Sequence, residues 1–496
     1  MIVVPQHGPI VRAPDSTGRA LSVRWTGQEG STQDTRALIA LGSATDVDDA
    51  IVDLRDFAVG AQNFVMADDS GRIAYNAHAL VPVRKFAEGA SARPPWLPLP
   101  GDGSAEWGDG VSDCAAATLS PVPSSCWVAD DLLPHATDPA KGYLFTANAD
   151  PTFPSVSDDN DPLAHPPYLS FAWDDSSGFR ATRVQERIER VIAAGRKLSL
   201  ADMESMQADH ASRVGIAFAP HVSRSETAPT GVDLADLDVG RSILGRWASA
   251  GADCPSGLTG IDPVSSSTDP RGSTLDDAAG CLLFHEFLRS LYDRVFRDDL
   301  ALAGQAVNSI SATKAMLHML ELPDHDPGAS FCDDVDARGA LLASHTCSDQ
   351  VAAAVAAATA SVTSRLGPKP RAWIWGRTHV ARLSGPVAGS PVAQAPTIAR
   401  PGGLFTLDVG NPSMSGSATQ GDFTFTSGSN VRHISVMSVD RPIVRMQMPG
   451  AERDGSGSAA GPDLLGQWAR NVYFDLPFGD QIDRTATSTQ IIDPAP

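Results

Sequence analysis

What the sequence lacks narrows it first. No stretch approaches the roughly 18 uninterrupted apolar residues that a membrane-spanning helix needs, so a helical span is excluded. Basic residues are scarce: 38 Lys and Arg stand against 59 Asp and Glu, a net charge of -21 over 496 residues. Such a surface repels phosphate backbones and anionic lipid, which excludes nucleic acid as a partner. There is no G-x-S-x-G nucleophile elbow, no P-loop, no G-x-G-x-x-G, no H-E-x-x-H and no C-x-x-C. The common serine-hydrolase, nucleotide and zinc readings therefore fall away. The opening residues, Met1 to His7, have no basic start and no apolar core of signal-peptide length. They open on a short β-branched run, as though the chain began inside a sheet.

The six cysteines, Cys114, Cys126, Cys254, Cys281, Cys332 and Cys347, lie as three local pairs. Sequential pairing closes short loops and suits an oxidising compartment; six reduced thiols in a cytosolic protein is the other reading. His7 and His379 sit in apolar-flanked strands and read as satisfied structural groups rather than bases. Asp158-Asp159-Asn160-Asp161 offers hard oxygen ligands of the kind Ca²⁺ takes, or forms a solvated turn.

Hydrophobic periodicity divides the chain into three textures, which we take as 1–180, 181–370 and 371–496. In the first, Thr45 is placed to cap a helix running to about Ala58, with Val47, Ile51 and Leu54 as its buried stripe. Asn63 to Ala67 and Arg72 to Tyr75, joined by Asp68-Asp69-Ser70-Gly71, form a hairpin. Residues 93–101 are too rich in proline for a central strand and form a surface loop. The second segment is helical: Val184, Ile188, Val191 and Ile192 make one apolar face, ended by Gly195, and Leu282 to Val295 and Val351 to Ser364 make two more helices. Residues 225–275, rich in Gly, Ser, Asp and Pro, read as a loop excursion. Strands return at Phe405 to Val409, Phe423 to Phe425 and Val431 to Val439, followed by a glycine-rich loop at Pro449 to Ser458. A sheet region interrupted by helices and then resumed implies an α+β fold.

Several short stretches together resemble one family. The run Gln62-Asn63-Phe64-Val65-Met66-Ala67-Asp68-Asp69-Ser70-Gly71-Arg72-Ile73-Ala74-Tyr75 resembles a hairpin of the penicillin acylase family, approximately Q-N-F-x-Y-A-D-x-x-G-N-I-G-Y. In family order follow Val81-Pro82-Val83-Arg84, Leu99-Pro100-Gly101 with Glu106-Trp107, Gly142-Tyr143-Leu144-Phe145-Thr146-Ala147-Asn148, and Gly178-Phe179-Arg180-Ala181-Thr182-Arg183-Val184. His7-Gly8-Pro9-Ile10-Val11 resembles the family's H-G-P-V, and Met448-Pro449-Gly450-Ala451 with Gln467-Trp468 lies in the place of its glycine-rich loop and following aromatic segment. The resemblance covers most of the chain.

It implies part of a four-layer αββα N-terminal-nucleophile hydrolase core with a mainly helical insertion. It also implies an amidohydrolase of small acyl amides: β-lactams, acyl-homoserine lactones or acylated peptides. In that chemistry a serine at a chain start attacks the acyl carbonyl. Its own α-amino group, with an ordinary pKa of about 8, accepts the proton. The tetrahedral oxyanion needs preorganised donors. By position the family's oxyanion asparagine is Asn148, and the arginine that orders the site is Arg183. The family often carries a structural calcium, though the chemistry requires no cofactor; Pro95 matches one ligand position, and Asp158 and Asp161 lie near another. Localisation would be periplasmic or secreted.

One departure matters. The family's large subunit begins Ser-Asn-x-Trp, and no such sequence occurs here; Ser429-Asn430 is followed by Val431-Arg432. The sequence therefore resembles the later part of that subunit. The expected partners are the small subunit and the earlier part of the large one. A truncated gene product, a chain whose missing part is a second polypeptide, and a non-catalytic secreted binding or scaffold relative are the readings that remain.

Overall fold

A computed structural model describes the chain except for residues 1–6, 29–32, 90, 96, 109–113, 115–125, 149–177, 225–230, 261–271, 323–329, 383–396, 413, 415–421, 439–441, 450–463, 480, 481 and 483–496. The chain divides into two compact units. The first is Met1–Ala181 with Met437–Pro442, and the second is Thr182–Val436 with Ile443–Pro496. The helical segment and the C-terminal strands thus fall in the same unit. Helices and small antiparallel sheets mix throughout, as an α+β fold requires.

In the first unit β1 (Ile10–Arg12) pairs with β2 (Leu21–Ser22). Two helices follow, α1 (Asp34–Leu41) and α2 (Val47–Asp53). The cap of α2 is Asp46, whose carboxylate takes the Asp49 N–H, and not Thr45, whose hydroxyl bonds the Asp49 side chain instead. The hairpin falls where the alternation placed it: β3 (Gln62–Ala67) pairs with β4 (Ile73–His78) in register from Gln62↔His78 to Ala67↔Ile73. Asp68 closes its turn, accepting from the Ser70 and Arg72 N–H groups at 3.0 and 3.1 Å. β5 (His135–Thr137) adds to the far side of β4. Ala37, Leu54 and Phe57 pack beneath this sheet against Phe64 and Met66.

The helix α3 (Phe179–Ala193) leads into the second unit, where α4 (Leu200–Gln207), α5 (Arg213–Arg224), α6 (Leu234–Ser249), α7 (Gly272–Leu302), α8 (Ser309–Glu321) and α9 (Cys347–Leu366) follow. The helix α6 lies inside the span read above as a loop. Asp233 caps it through the Ala235 and Asp236 N–H groups, and Leu237, Ile243, Leu244 and Trp247 are its buried stripe. The polar composition around it masked that stripe. Helix α7 is the axis, buried without a break from Ala278 to Leu288. Trp247 can lie against it because Gly215 and Gly280 face the indole; a Cβ at either would collide with the ring. Ile192, placed on the apolar face of α3 by spacing, is 45% exposed, while Ile188 and Val191 are buried.

A ribbon of β6 (Asp334–Val335) and β7 (Leu341–Ala343) precedes α9, and β8 (Val380–Ala381) pairs with β9 (Ile398–Ala399). The C-terminal sheet is β10 (Arg432–Val436), β11 (Ile443–Gln447) and β12 (Phe474–Leu476) in that order, with helix α10 (Leu464–Ala469) between the last two in sequence. Phe405 to Val409 is not the strand its composition suggests. Phe405 is left-handed at φ 58°, and the segment is a buried loop wrapped around Asp408. The Asp408 carboxylate accepts from Arg400 Nη2 at 2.9 and 2.7 Å and from Arg432 Nη2. All six cysteines are paired in sequential order, 114–126, 254–281 and 332–347.

Two buried histidines report on the packing. His285 Nε2 accepts from the Leu404 N–H, which puts the proton on Nδ1, facing the Cys281 carbonyl at 2.9 Å. His379 stacks on Trp375 and Phe425 and lies 2.8 Å from the Arg400 and Gly410 carbonyls. It is a buried structural group, as expected of it, though the neutral ring can donate to only one of the two carbonyls. Burial pushes the two imidazoles down to about 3 and about 4. The unfolded chain, titrating at about 6.5, therefore takes up protons first as the pH falls. The stability these rings contribute is full above about pH 6.5 and is lost on the way down to about 4 and 3. Denaturant midpoints measured between pH 7 and pH 5 should fall by about 2 kcal/mol per ring. His379→Gln should flatten that slope while lowering stability at pH 7; an unchanged slope would contradict the assignment.

Candidate active site

The stretch Gly142 to Asn148 is anchored by its apolar residues. Phe145 and Ala147 are buried, Leu144 packs on Tyr75 and Ala77 of β4, and Tyr143 stacks on Phe145 at 6.3 Å between centroids. Asn148 ends it in the left-handed region, at φ 53°, which asparagine tolerates better than most residues. Its side chain is exposed. Arg180 Nη2 donates to Asn148 Oδ1 at 3.0 Å. The carbonyl oxygen is thus occupied, and among the described residues no hydrogen bond is made by the amide nitrogen.

Arg183, which the resemblance singled out, has a different partner. It forks onto Asp209, Nε to Oδ1 at 3.0 Å and Nη2 to Oδ2 at 2.7 Å. One helical turn on, Arg187 Nη1 donates to the same carboxylate at 2.6 Å and Nη2 to Ser205 Oγ at 2.7 Å. Asp209 is buried, and its carbonyl accepts the Asp408 N–H at 2.8 Å. The arginine that reaches Asn148 is Arg180, three residues earlier in the same motif. Sequence reading passed over it because both arginines belong to the G-F-R-A-T-R-V pattern and nothing in the spacing ranks them.

Two other motifs meet in the first unit. His7 Nε2 lies 2.6 Å from Glu106 Oε1, Arg24 Nη1 donates to Glu106 Oε2 at 3.4 Å, and the Arg24 guanidinium sits 4.1 Å over the Trp107 ring. The His-Gly-Pro step is therefore tied to the Glu-Trp step; His7 lies in a turn rather than a strand. On β3 and β4, the Tyr75 hydroxyl donates to Asn63 Oδ1 at 2.7 Å.

The calcium expectation is not reached by these contacts: Pro95 lies in a loop, while Asp158 and Asp161 fall outside the described residues. Among the described residues, the one group of metal-ligating side chains close enough to share an ion is Cys254, Cys281 and His285. It does not fit a metal. The two sulfurs are bonded to each other, and the ring nitrogen facing them, Nδ1, carries the proton.

The model of the penicillin amidase family matches residues 2–484. The chain belongs to this family. Among its relatives, the penicillin acylase 2 proenzyme of Pseudomonas sp. (strain SE83) is 27% identical over 222 residues, 45% of this chain and 23% of that protein. The acyl-homoserine lactone acylase QuiP of Pseudomonas fluorescens (strain Pf0-1) is 24% identical over 501 residues, 98% of this chain and 52% of that protein. This penicillin amidase family member thus spans about half the length of the second relative and less of the first. A solved thermostable penicillin G acylase from Alcaligenes faecalis shares its fold, with a TM-score of 0.60 at 17% identity over 99% of this chain and 78% of that one.

Replacing Asp209 by Asn removes the carboxylate that Arg183 and Arg187 share and leaves Arg183 only its longer contact with Glu186, at 3.5 Å. We expect a loss of about 3 kcal/mol in urea unfolding, because stranding a buried charge costs more than the intact pair contributes. A loss under about 1 kcal/mol would mean that the pairing is incidental.

Proposed function

We propose that this chain is the oxyanion-binding part of an acyl-amide hydrolase whose nucleophile comes from polypeptide outside the sequence. Family membership supports the reaction class, and the observation that carries the reading is the Arg180–Asn148 hydrogen bond. A carboxamide held by its oxygen presents Nδ2 as a neutral donor, the group needed where a carbonyl oxygen becomes negative. A charged donor would demand its own counter-ion. Arg180 acts here as a positioning residue, fixing which end of Asn148 faces the substrate.

In this reading a serine hydroxyl from a Ser-Asn-x-Trp terminus attacks the acyl carbonyl carbon. The serine's α-amino group accepts the hydroxyl proton, and the carbonyl π electrons move to oxygen, where Asn148 Nδ2 donates to them. Collapse expels the amine, which takes up that proton, and leaves an acyl ester. Water hydrolyses the ester by the same sequence to a carboxylic acid. No cofactor enters. An oxyanion donor acts strongly only where water is excluded. The exposure of Asn148 in this chain is therefore consistent with a site closed by further polypeptide. Penicillin acylase 2 is itself made as a proenzyme. The three disulfides favour an oxidising compartment, periplasmic or extracellular.

The absence of Ser-Asn-x-Trp equally suits a binding protein that kept the fold. Assay separates the two readings. The chain alone should release no chromophore from a chromogenic acyl amide above the buffer rate, and turnover by the chain alone would overturn the proposal. Joined to a family polypeptide that begins Ser-Asn-x-Trp, it should gain activity. In that assembly Asn148→Ala should cut kcat about 100-fold with little change in KM, and Arg180→Gln should cut it less. An assembled but inactive complex would favour the binding reading.

A further inference from the structure

The three disulfides do not share one environment. Cys114, Cys126, Cys254, Cys281 and Cys332 are each at most 1% exposed, whereas Cys347 is half-buried. Cys347 also borders a cavity of about 390 Å³ within the second unit, between the ends of α5 and α8 and the start of α9. That volume is in the range of small-molecule sites. Ser330, another wall residue, has its hydroxyl oxygen 4.0 Å from Cys347 Sγ, so the sulfur itself lies close to the cavity. One sulfur of the 332–347 pair can thus be approached from a preformed hollow, and the other is sealed.

The chemistry around the hollow suits an incoming anionic thiol. Arg224 closes α5 and borders the cavity, and among the described residues its guanidinium makes no hydrogen bond or ion pair. Thr346 caps α9, which leaves the Cys347 and Ser348 N–H groups in the unpaired first turn. Such groups favour negative charge on a neighbouring sulfur. The two acids on the wall are engaged elsewhere: Asp333 Oδ1 accepts the His345 N–H at 2.9 Å, and Asp349 Oδ2 accepts the Thr346 N–H at 3.2 Å. His221 borders the cavity too. Burial, and then the nearby Arg224 charge, push its pKa down, so its ring is a neutral proton acceptor at neutral pH.

The bridge can open without unfolding its surroundings. The Cys332 carbonyl accepts from Gln350 Nε2 at 2.9 Å, and the Val335 N–H bonds Asp298 Oδ2 at 2.8 Å. With the Asp333–His345 bond, these hold β6, β7 and the start of α9 independently of the sulfurs. We propose that Cys347 is a thiol-exchange site, modified reversibly by a small thiol that carries a carboxylate, with Arg224 binding that carboxylate. The thiol's proton passes to the His221 ring and its sulfur bonds Cys347 Sγ. The Cys332–Cys347 bond breaks, and its electron pair stays on Cys332 Sγ, which takes up a proton. One disulfide and one thiol give one disulfide and one thiol, so no oxidant or reductant is needed. This inference is independent of the amidohydrolase reading.

The test exposes the full, undenatured chain to a large excess of mercaptoacetate or, separately, of mercaptoethanol, which lacks the carboxylate. Samples trapped at early times with N-ethylmaleimide are digested and read by mass spectrometry. Mercaptoacetate should add to Cys347 and leave Cys332 as a trapped free thiol, while the 114–126 and 254–281 pairs stay closed. Arg224→Gln should slow that addition about fivefold and leave the mercaptoethanol rate unchanged, and Arg224→Lys should restore most of the loss. Equal reaction of all three pairs would mean exchange through unfolding and would overturn the proposal. So would addition to Cys332 in place of Cys347, or no adduct at all. Equal slowing of both thiols by Arg224→Gln would remove the carboxylate contact, and with it the assigned ligand class.

Discussion

The second unit is organised around a buried carboxylate, Asp408, and its link to a second. Asp408 lies in a loop with almost no access to water, and burial by itself would raise its pKa and discharge it. The guanidinium groups of Arg400 and Arg432 reverse that and hold the carboxyl low, at about 2. Each arginine brings a different part of the chain. Arg400 donates to the Trp468 and Ala469 carbonyls at the end of α10 and stacks on the Trp468 ring, while Arg432 opens β10 and reaches Gln447 on β11. The Asp408 N–H holds the Asp209 carbonyl, and the Asp209 side chain holds α3 through Arg183 and Arg187. Two carboxylates, linked through one backbone hydrogen bond, thus gather helices and strands that lie far apart in sequence. Apolar packing at these points would be as strong but less directional.

This arrangement gives Arg183 a partner that a reading from motifs alone does not show. An arginine inside a family pattern can serve the reaction or the frame that holds it, and its spacing is identical in either case. Two arginines one turn apart on α3 and one buried carboxylate make a fork that ties α3 to Asp209. Arg180, at the helix start, belongs to the other unit and bonds Asn148. Which group each arginine holds becomes visible only when the partners are known.

Local periodicity was a sound guide where one element decides its own structure. The β3–β4 hairpin, the presence of α9 and the stop of α3 at Gly195, left-handed at φ 68°, all follow from alternation, apolar spacing and turn chemistry, though α9 runs from Cys347 to Leu366, beyond the Val351 to Ser364 read from spacing. Sequential cysteine pairing was also legible, because short loops favour it. Two elements were not. Helix α6 is embedded in polar composition, and its buried stripe, Leu237, Ile243, Leu244 and Trp247, becomes meaningful only beside Gly215 and Gly280 of other helices. The segment Phe405 to Val409 has the β-rich composition of a strand, but Asp408 needs its arginines more than the backbone needs a ladder, so tertiary demand overrode local preference. Of the candidate site, Asn148 is named by the resemblance alone; the orientation of its amide is not legible in the sequence, since it depends on a guanidinium thirty-two positions away.

The left-handed backbone at Asn148 narrows what evolution can place there. A φ of 53° is comfortable for glycine, asparagine and aspartate and costly for nearly everything else. In the chemistry proposed above, glycine would have no side chain to offer an incoming oxygen, and aspartate would meet a developing anion with a charge of the same sign. Main-chain geometry and electrostatics, which constrain proteins for unrelated reasons, converge on one residue type. A lineage that lost the chemistry would be released from the second constraint but not the first, and drift towards glycine at this position would record that loss.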